Sequence, residues 1–391
     1  MANRRQLDAT AQGRVLSALH RGGPMTRAQA TSWAGLARSA AGNAINDLVE
    51  RGLIRSRDAE PTGIRGRPSA ELSVVADAGA ALAVKISDHG AEVCVVDLAR
   101  RVTAHGHAEI RFDRLPPETS LPRLADAIDE FVGDPVERRI RGIGISVPGM
   151  VDAEHGVARA VLSLGWRNVP VIDDLLRRMA HPLPIQLGHD AALGAIAEFR
   201  LGDHTDARRL LALTSESFGV GAGLVTSSGP TSQLADHALQ AGHLIVAPQG
   251  PLCSCGSRGC LELFIDGRAL RQVLGLSASV EPEHIDARLR ALSRVDADRI
   301  GLPSLVEHLG TGLTSLVNTL GPDAVILSGL LAPVADLYRD ALDEAVGRAV
   351  VAQVEPVTLA TSRNADAVVI GAAEIALSSF LADPTAATTP R

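Results

Sequence analysis

Three cysteines and one histidine lie close together in the second half of the chain. Cys253, Cys255 and Cys260 fall within eight residues, and His243 precedes the first of them by ten. Three thiolates and one imidazole at this spacing suit a tetrahedral zinc site, because short glycine-containing loops let the four side chains converge on one ion. A closed site with four protein ligands is structural rather than catalytic. The pattern therefore predicts a Zn²⁺ ion that holds this loop.

A disulfide or a chance cluster is the alternative interpretation of these cysteines. The chain begins with no secretory signal pattern, and the fourth cysteine, Cys94, stands apart in an apolar, strand-like run. Both features argue against an oxidising compartment. The sequence also contains no apolar run of membrane-spanning length. We therefore expect a cytoplasmic protein with reduced thiols and no membrane partner.

The cysteine segment resembles the signature of the ROK family, which contains sugar kinases and sugar-responsive transcriptional repressors. Gly242 and His243 are followed by the pattern CxCGxxGCxE, which runs from Cys253 to Glu262. Further matches extend the resemblance over nearly the whole chain. The resemblance implies an α/β body with two lobes and an actin-like ATPase (ribonuclease H-like) fold. It leaves open whether the protein is a kinase or a regulator.

The N-terminal 75 residues differ in charge from the remainder of the chain. They carry eleven arginines against six acidic residues, a net charge of +5, which leaves −12 on the rest. Such asymmetry indicates a nucleic-acid-binding head on an acidic body. Three helical segments are followed by two strand-like pieces around a polar wing, with Thr26 predicted to cap the second helix. This order resembles the winged helix-turn-helix of ROK repressors; a packing module that binds no DNA is the alternative.

The third helical segment, residues 36–52, is the predicted DNA-recognition helix. Its inward face is predicted to contain Leu36, Ala40, Ala44, Leu48 and Val49. Several polar side chains remain to contact bases or phosphates in the major groove. The predicted contacts on this helix are Arg38, Ser39, Asn43 and Asn46. In the wing, Arg67 is held extended by Pro68 and is predicted to enter the minor groove.

The body begins with three predicted strands, a helix and a fourth strand, the order of the family's ATPase fold. We predict a DNA-binding domain in residues 1–75, a first lobe in 76–187 and a second lobe in 188–366. The zinc loop, residues 243–260, lies in the second lobe, and a helix at 367–382 is expected to pack back onto the first. Residues 383–391 are predicted to be a disordered tail.

The phosphate-binding machinery of the family's kinases is altered in this sequence. Kinases of the family carry an Asp-x-Gly-Gly-Thr loop after the first strand, whereas Lys85 to His89 here reads KISDH. Side chains at those positions block close approach of the backbone to phosphate. A second glycine-rich loop carries Phe218 in place of a hydroxyl residue, and a third retains only Gly329 of two glycines. Asp190 matches the catalytic base, but we predict a vestigial base in a protein that is not an enzyme.

The sugar-binding positions of the family are partly kept. The resemblance places a small carbohydrate effector between the lobes, where carboxylates and imidazoles suit adjacent hydroxyl groups. Three of the matching positions carry different residues, since His189, Gln240 and Ser163 replace the usual Asn, Glu and Asn. The predicted ligand-binding residues are Ser146, Gly149, Ser163, His189, Asp190, Gln240, His243 and Glu262.

The sequence as a whole predicts a regulator, most simply a repressor of carbohydrate-use genes that acts as a homodimer or homotetramer on double-stranded operator DNA. Two alternatives stay open. One is an ATP-dependent sugar kinase that retains a DNA-binding head. The other is a regulator with a vestigial sugar pocket, which senses a protein partner or no small ligand.

Overall fold

The computed structural model describes residues 9–57, 70–134, 139–216, 219–227, 235–362 and 364–386. The chain divides into two compact units. The first comprises Met1–Gly188 and Val369–Arg391, and the second comprises His189–Val368.

The N-terminal head of the first unit is a three-helix module with a small sheet. Its elements are α1 (Ala11–Gly22), β1 (Met25–Thr26), α2 (Arg27–Ala34), α3 (Arg38–Glu50), β2 (Ile54–Arg57) and β3 (Glu71–Val74). The three strands form an antiparallel sheet in the order β1-β3-β2. Thr26 caps α2 as predicted, because its hydroxyl accepts a hydrogen bond from the backbone of Gln29 while the Gln29 side chain reaches back. The predicted winged helix-turn-helix is confirmed, and the tip of the wing falls outside the described residues.

The inward face of α3 differs in part from the prediction. Ala44 and Leu48 are buried as expected, and Ala41 and Ile45 are buried beside them. Val49, however, is 40% exposed. The buried side of α3 contains Ala41, Ile45 and Leu48, which follow one another at helical spacing. Val49 is one residue beyond Leu48 and therefore lies about 100° further around the helix, outside this apolar side.

The body of the first unit contains a five-stranded sheet and a smaller three-stranded sheet. Its elements are β4 (Ala80–Ile86), β5 (Ala91–Asp97), β6 (Val102–Ala108), α4 (Pro117–Val132), β7 (Ile140–Val147), β8 (Met150–Asp152), β9 (Val157–Val161), β10 (Trp166–Val169), α5 (Val171–Leu176) and β11 (Ile185–His189). The large sheet has the order β11-β7-β4-β5-β6, and the small sheet has the order β10-β9-β8. One face of β4 and β5 packs against α4 through alternating apolar residues such as Leu82, Val84 and Val93.

The second unit is built on another five-stranded sheet. Its elements are α6 (Asp190–Leu201), β12 (Arg209–Ser215), β13 (Val220–Thr226), β14 (Ala235–Leu239), α7 (Glu262–Ile265), α8 (Gly267–Leu274), α9 (Pro282–Arg290), α10 (Arg294–Arg299), α11 (Leu302–Leu320), β15 (Ala324–Gly329), α12 (Leu331–Leu337), α13 (Arg339–Gly347) and β16 (Thr358–Thr361). The strand order is β14-β13-β12-β15-β16, with β15 and β16 parallel to β12. The long cysteine-containing segment lies between β14 and α7.

The chain ends with two helices where the sequence predicts one. They are α14 (Ala367–Ala376) and α15 (Ser378–Ala382), separated at Leu377. Gly142 and Gly144 let α14 lie directly on β7, since a Cβ at Gly144 would stand 1.9 Å from the carbonyl oxygen of Ala372. Of the tail predicted to be disordered, residues 383–386 are described and form a turn in which Thr385 donates to Asp383.

Candidate functional site

The four predicted metal ligands come together in the second unit. One donor atom from each of His243, Cys253, Cys255 and Cys260 lies within 4.8 Å of every other. The Sγ atoms of Cys255 and Cys260 are 3.6 Å apart, and Sγ of Cys253 is 3.7 Å from Nδ1 of His243. A disulfide has an S–S distance of about 2.05 Å, and all four cysteines are free thiols. A tetrahedron with Zn–S bonds of about 2.3 Å has ligand separations of about 3.8 Å, close to these distances.

Burial of two of the thiols means that they need a compensating cation to ionise. Burial raises the pKa of Cys253, and burial also raises the pKa of Cys260 to about 12. The backbone N–H of Ser257 lowers the pKa of the exposed Cys255. Two buried thiols that resist ionisation alone become thiolates when a divalent ion compensates their charge. The donor set therefore fits zinc in both chemistry and spacing.

The backbone around this cluster depends on close contacts at glycine. Gly259 has a φ of +68°, and a Cβ there would lie 1.5 Å from the carbonyl oxygen of Ala247. Single β-bridges pair Ile245 with Cys260 and Leu252 with Arg258. The glycine thus lets the loop fold back on itself, which brings Cys260 toward the other ligands.

Glu262 links the cysteine cluster to the predicted sugar-binding residues of this unit. Its Oε1 accepts from the Cys253 thiol at 3.1 Å and lies 3.8 Å from Nδ1 of His243. Its Oε2 faces Gly219 and Gly242. A Cβ added at Gly219 would lie 3.5 Å from this oxygen, and one added at Gly242 would lie 3.3 Å from it. The carboxylate is buried, and its two oxygens face different surroundings. His243 turns Nδ1 toward Cys253, which leaves Nε2 as the nitrogen for another partner.

The other predicted ligand residues of the second unit surround the start of α6. Asp190 is the first residue of this helix, and its Oδ1 accepts from the backbone N–H of Ala191 at 2.6 Å. This contact joins neighbouring residues and is not a side-chain cap, because the N-cap residue of α6 is His189. His189 is buried, and its Nδ1 lies 3.5 Å from Oδ1 of Asp190. Gln240 is exposed at the end of β14.

Three predicted ligand residues belong to the first unit. Ser146 lies in β7, is fully buried, and its Oγ has no hydrogen-bond partner among the described residues. Gly149 has a φ of +137°, and a Cβ there would meet the carbonyl oxygen of Ala160 at 2.5 Å. Ser163 is exposed in a short 3-10 helix, Leu162–Leu164. Ser146 is thus a buried hydroxyl with unused hydrogen-bonding capacity.

Two segments match phosphate loops of the family's kinases in the sequence, residues 85–89 and 217–223, and their described residues form strands and a turn. Lys85 lies within β4, and Ser87 closes the following turn by donating to the carbonyl oxygen of Gly90. Residues 217 and 218 fall outside the described residues, but Gly221 and Gly223 belong to strand β13. A Cβ added at Gly221 would lie 2.7 Å from Cβ of Ala191, and one added at Gly223 would lie 2.5 Å from the carbonyl oxygen of Ala191. These glycines therefore let α6 pack tightly on the sheet.

The predicted DNA contacts on α3 share one solvent-exposed side of the helix. Arg38, Ser39, Asn43 and Asn46 are all exposed. The Oδ1 atom of Asn46 accepts from Arg27 of α2 at 2.9 Å, which adds a second cation to this surface. Ala37 occupies the N-cap position without a side-chain cap. Arg67 of the wing lies outside the described residues.

The head is attached to the C-terminal helices by contacts that sequence reasoning missed. Thr10 donates its N–H to the carbonyl oxygen of Ala382 at 3.1 Å, and the Ser17 hydroxyl donates to that of Leu381 at 3.0 Å. Gly13 permits this approach, because a Cβ would stand 1.8 Å from the oxygen of Ala382. His20 extends the attachment to Glu374 in α14. No local signal in the sequence links positions this far apart.

Family comparison agrees with this arrangement of a head and a two-part body. The ROK family matches residues 81–379, more than half of the chain. The protein belongs to the ROK family. The MarR family matches residues 6–63, a range that includes the three helices and strand β2 of the head. The sequence resemblance to the ROK family is thereby confirmed.

Relatives within the ROK family include both regulators and kinases. The xylose repressor of Caldicellulosiruptor bescii is 26% identical over 86% of each chain. The crystal structure of a ROK transcriptional regulator, a homologue of the Escherichia coli MLC protein, covers 95% of this chain and 96% of its own. It aligns with a TM-score of 0.74 at 20% identity. The ROK hexokinase of Thermus thermophilus, at 26% identity and a TM-score of 0.58, covers 77% of this ROK protein and 99% of its own chain.

The described part of this ROK protein has no helix both long and apolar enough to cross a membrane.

Proposed function

We propose that this ROK protein is a DNA-binding transcriptional regulator that responds to a small carbohydrate. The observation that carries the proposal is the winged helix-turn-helix head on the ROK body, with an exposed polar face on α3. A kinase has no need of such a head. The MLC homologue covers 95% of this chain, so its similarity extends into the head, whereas the hexokinase covers 77%.

The regulator acts as a repressor of carbohydrate-use genes and binds operator DNA as a homodimer or homotetramer in the cytoplasm. Two heads on one operator read two half-sites, which is how helix-turn-helix proteins gain affinity and specificity. The α3 side chains contact the major groove, and Arg67 of the wing contacts the minor groove. Support for this geometry is the exposure of all four predicted α3 residues.

The effector is a sugar or sugar derivative held by the carboxylates and imidazoles that the sequence predicts. In the second unit, Glu262 presents Oε2 away from the cysteines, and His243 retains Nε2 for a hydroxyl group. Hydroxyl groups of a sugar are the complementary partners for both side chains. The first unit separately offers Ser146, a buried hydroxyl that lacks a hydrogen-bond partner among the described residues.

Zinc is the proposed structural cofactor, held by His243, Cys253, Cys255 and Cys260. When bound, it supplies positive charge to three thiolates and holds the loop between β14 and α7. His243 and Glu262 depend on this loop for their positions, because His243 is one of the four proposed ligands and Glu262 follows Cys260 by two residues. A rigid loop thereby orients two effector contacts.

Phosphoryl transfer is not part of the proposed function. Lys85 replaces the first acidic residue of the kinase loop, and the glycines at 221 and 223 are occupied in packing against α6. Both glycines of the kinase loop are also absent from positions 85–89, and in kinases such a loop holds ATP phosphates with Mg²⁺.

The proposal is tested by binding of the purified protein to DNA from upstream of its own gene. Anisotropy at two salt concentrations, with a panel of pentoses and hexoses, measures specificity and effector response together. We expect a sequence-specific complex that one sugar class dissociates. Binding that ignores sequence and disappears at higher salt would contradict the proposal.

The alternative function, a sugar kinase with a retained head, is tested separately. A coupled assay with ATP, Mg²⁺ and the same sugars is expected to show no turnover above that of Asp190→Asn. Turnover that depends on Asp190 would make the protein an enzyme. A specific DNA complex that no sugar changes would instead favour the regulator with a vestigial pocket.

A further inference from the structure

A second cluster of metal-ligand side chains lies on the large sheet of the first unit. One donor atom from each of Glu92, Cys94 and His105 lies within 4.8 Å of the other two. The Oε1 atom of Glu92 is 3.0 Å from Nε2 of His105 and 3.7 Å from Sγ of Cys94. Both contacts converge on the same carboxylate oxygen.

The strand register explains why these three side chains meet. Glu92 and Cys94 are two residues apart on β5, so they point to the same face. His105 on β6 lies directly opposite Cys94 in the antiparallel ladder. Two ligands at positions i and i+2 with a third on the neighbouring strand make a compact triangle. The triangle is set by backbone hydrogen bonds and not by a flexible loop.

The three side chains of the cluster differ in their exposure to solvent. Cys94 is fully buried, the Glu92 side chain is 29% exposed, and the His105 side chain is 58% exposed. An ion thus has a path from solvent past His105, while the thiol is shielded from bulk oxidants. A carboxylate, a thiolate and an imidazole are ligands that Zn²⁺ accepts in one tetrahedral site, with water in the fourth position.

We propose that Glu92, Cys94 and His105 form a second site for a divalent ion of the zinc class, separate from the Cys3His cluster. The carboxylate and the thiolate balance the two positive charges of the ion. Lys85 and His107 lie opposite Glu92 on the same face, on β4 and β6. The charge of Lys85 weakens the attraction for a cation, so the site is one of moderate affinity.

The site joins the two strands that lead into the turn at residues 97–101. That turn contacts the head, because the carbonyl oxygen of Leu98 bonds to His20 of α1. It also contacts α14, because Arg100 donates a hydrogen bond to Glu374. An ion that cross-links β5 and β6 stiffens the hairpin behind this turn. The expected role of the ion is therefore structural support of the attachment between head and body.

The test is equilibrium dialysis of the full-length protein against micromolar free Zn²⁺, followed by metal analysis. Glu92→Gln and His105→Gln are each expected to bind one equivalent per chain less than the unaltered protein. This difference holds whether or not the Cys3His cluster is also filled. His181→Gln, an exposed histidine of the same unit, is the matched control and is expected to bind as the unaltered protein does.

Cobalt provides an independent readout. Co²⁺ bound through Cys94 gives a thiolate charge-transfer absorption, and part of that absorption is expected to disappear in His105→Gln. Unchanged stoichiometry in both Glu92→Gln and His105→Gln, or the same loss in His181→Gln, would overturn the proposal. Folding of each variant is checked by its thermal transition, and the exposed position of His105 makes His105→Gln the mildest change.

Discussion

The Nε2 atom of His20 lies 2.7 Å from Oε1 of Glu374, although the residues are 354 positions apart. His20 is in the first helix of the head, and Glu374 is in α14, near the C-terminus of the chain. The other ring nitrogen of His20 bonds to the carbonyl oxygen of Leu98 at 2.9 Å. Arg100 donates to the same Glu374 oxygen at 2.8 Å. One carboxylate, whose side chain is 10% exposed, thus joins the head, a turn of the first unit and α14.

Replacing Glu374 with glutamine is expected to loosen the head from the body. The change keeps the shape but removes the negative charge beside Arg100, whose Nη2 already has no hydrogen-bond partner among the described residues. An unpaired buried charge or donor costs about 1–3 kcal/mol. We expect a lower thermal transition, faster proteolysis between head and body, and a reduced effect of sugar on DNA binding.

The control for this variant is Glu344→Gln, which removes an exposed ion pair with Arg348 on α13. Exposed pairs of this kind contribute about 0–1 kcal/mol, so little change is expected. An effector response that survives Glu374→Gln intact would show that α14 does not carry the signal to the head.

Replacing Cys255 with serine is expected to release one zinc per chain and to abolish the effector response. Serine is a poor ligand for zinc, and the remaining three side chains no longer close the tetrahedron. Metal analysis and sugar-dependent anisotropy measure the two effects in parallel. Ser254→Ala is the neighbouring control. A zinc-free variant that still responds fully to sugar would separate the metal from the effector site.

The exposed residues of α3 are expected to divide into two classes. Asn43→Ala removes a side chain able to pair with a base, and we expect specific affinity to fall by about 1–3 kcal/mol while non-specific binding is kept. Arg38→Ala is expected to weaken binding to all sequences and to reduce the salt slope by about 1. Arg299→Ala, whose side chain is 74% exposed on α10, is the control. Equal losses on specific and random DNA in Asn43→Ala would remove it from base recognition.

Glu198 is expected to make the second unit less stable as pH rises through the raised pKa of its carboxyl group. Burial raises the pKa of this carboxyl, although Ser362 partly opposes the rise by donating at 2.6 Å to Oε1. The folded state therefore binds the proton more tightly than the unfolded state, and stability falls as pH increases above the ordinary carboxyl pKa of about 4.3. Glu198→Gln removes this dependence. The variant is expected to have a higher thermal transition temperature than the unaltered protein, and the difference is expected to be larger at pH 8 than at pH 5. Glu307→Gln, at an exposed position, is the control.

Much of the architecture follows from local sequence patterns. The apolar periodicity of residues 11–50 and the Thr26 cap suffice to predict the helices of the head, because periodicity and capping depend on residues within a few turns of one another. The metal-ligand set from His243 to Cys260 was likewise predicted from spacing, since all four side chains lie within 18 residues of one another. The exposed positions on α3 follow from helical geometry once the helix start is known.

Other relationships required the tertiary structure. Glu92, Cys94 and His105 form a triangle only through the register of β5 and β6, and an error of one residue would turn Glu92 and Cys94 to the opposite face. Gly221 and Gly223 look like parts of a phosphate loop in the sequence, but their contacts with α6 show a packing role. The pairing of His20 with Glu374 depends on how α1 meets the C-terminal helices. The sequence by itself determined the family, the helices of the head and the convergence of His243 with three cysteines, whereas contacts between distant segments were decided by packing that no short pattern encodes.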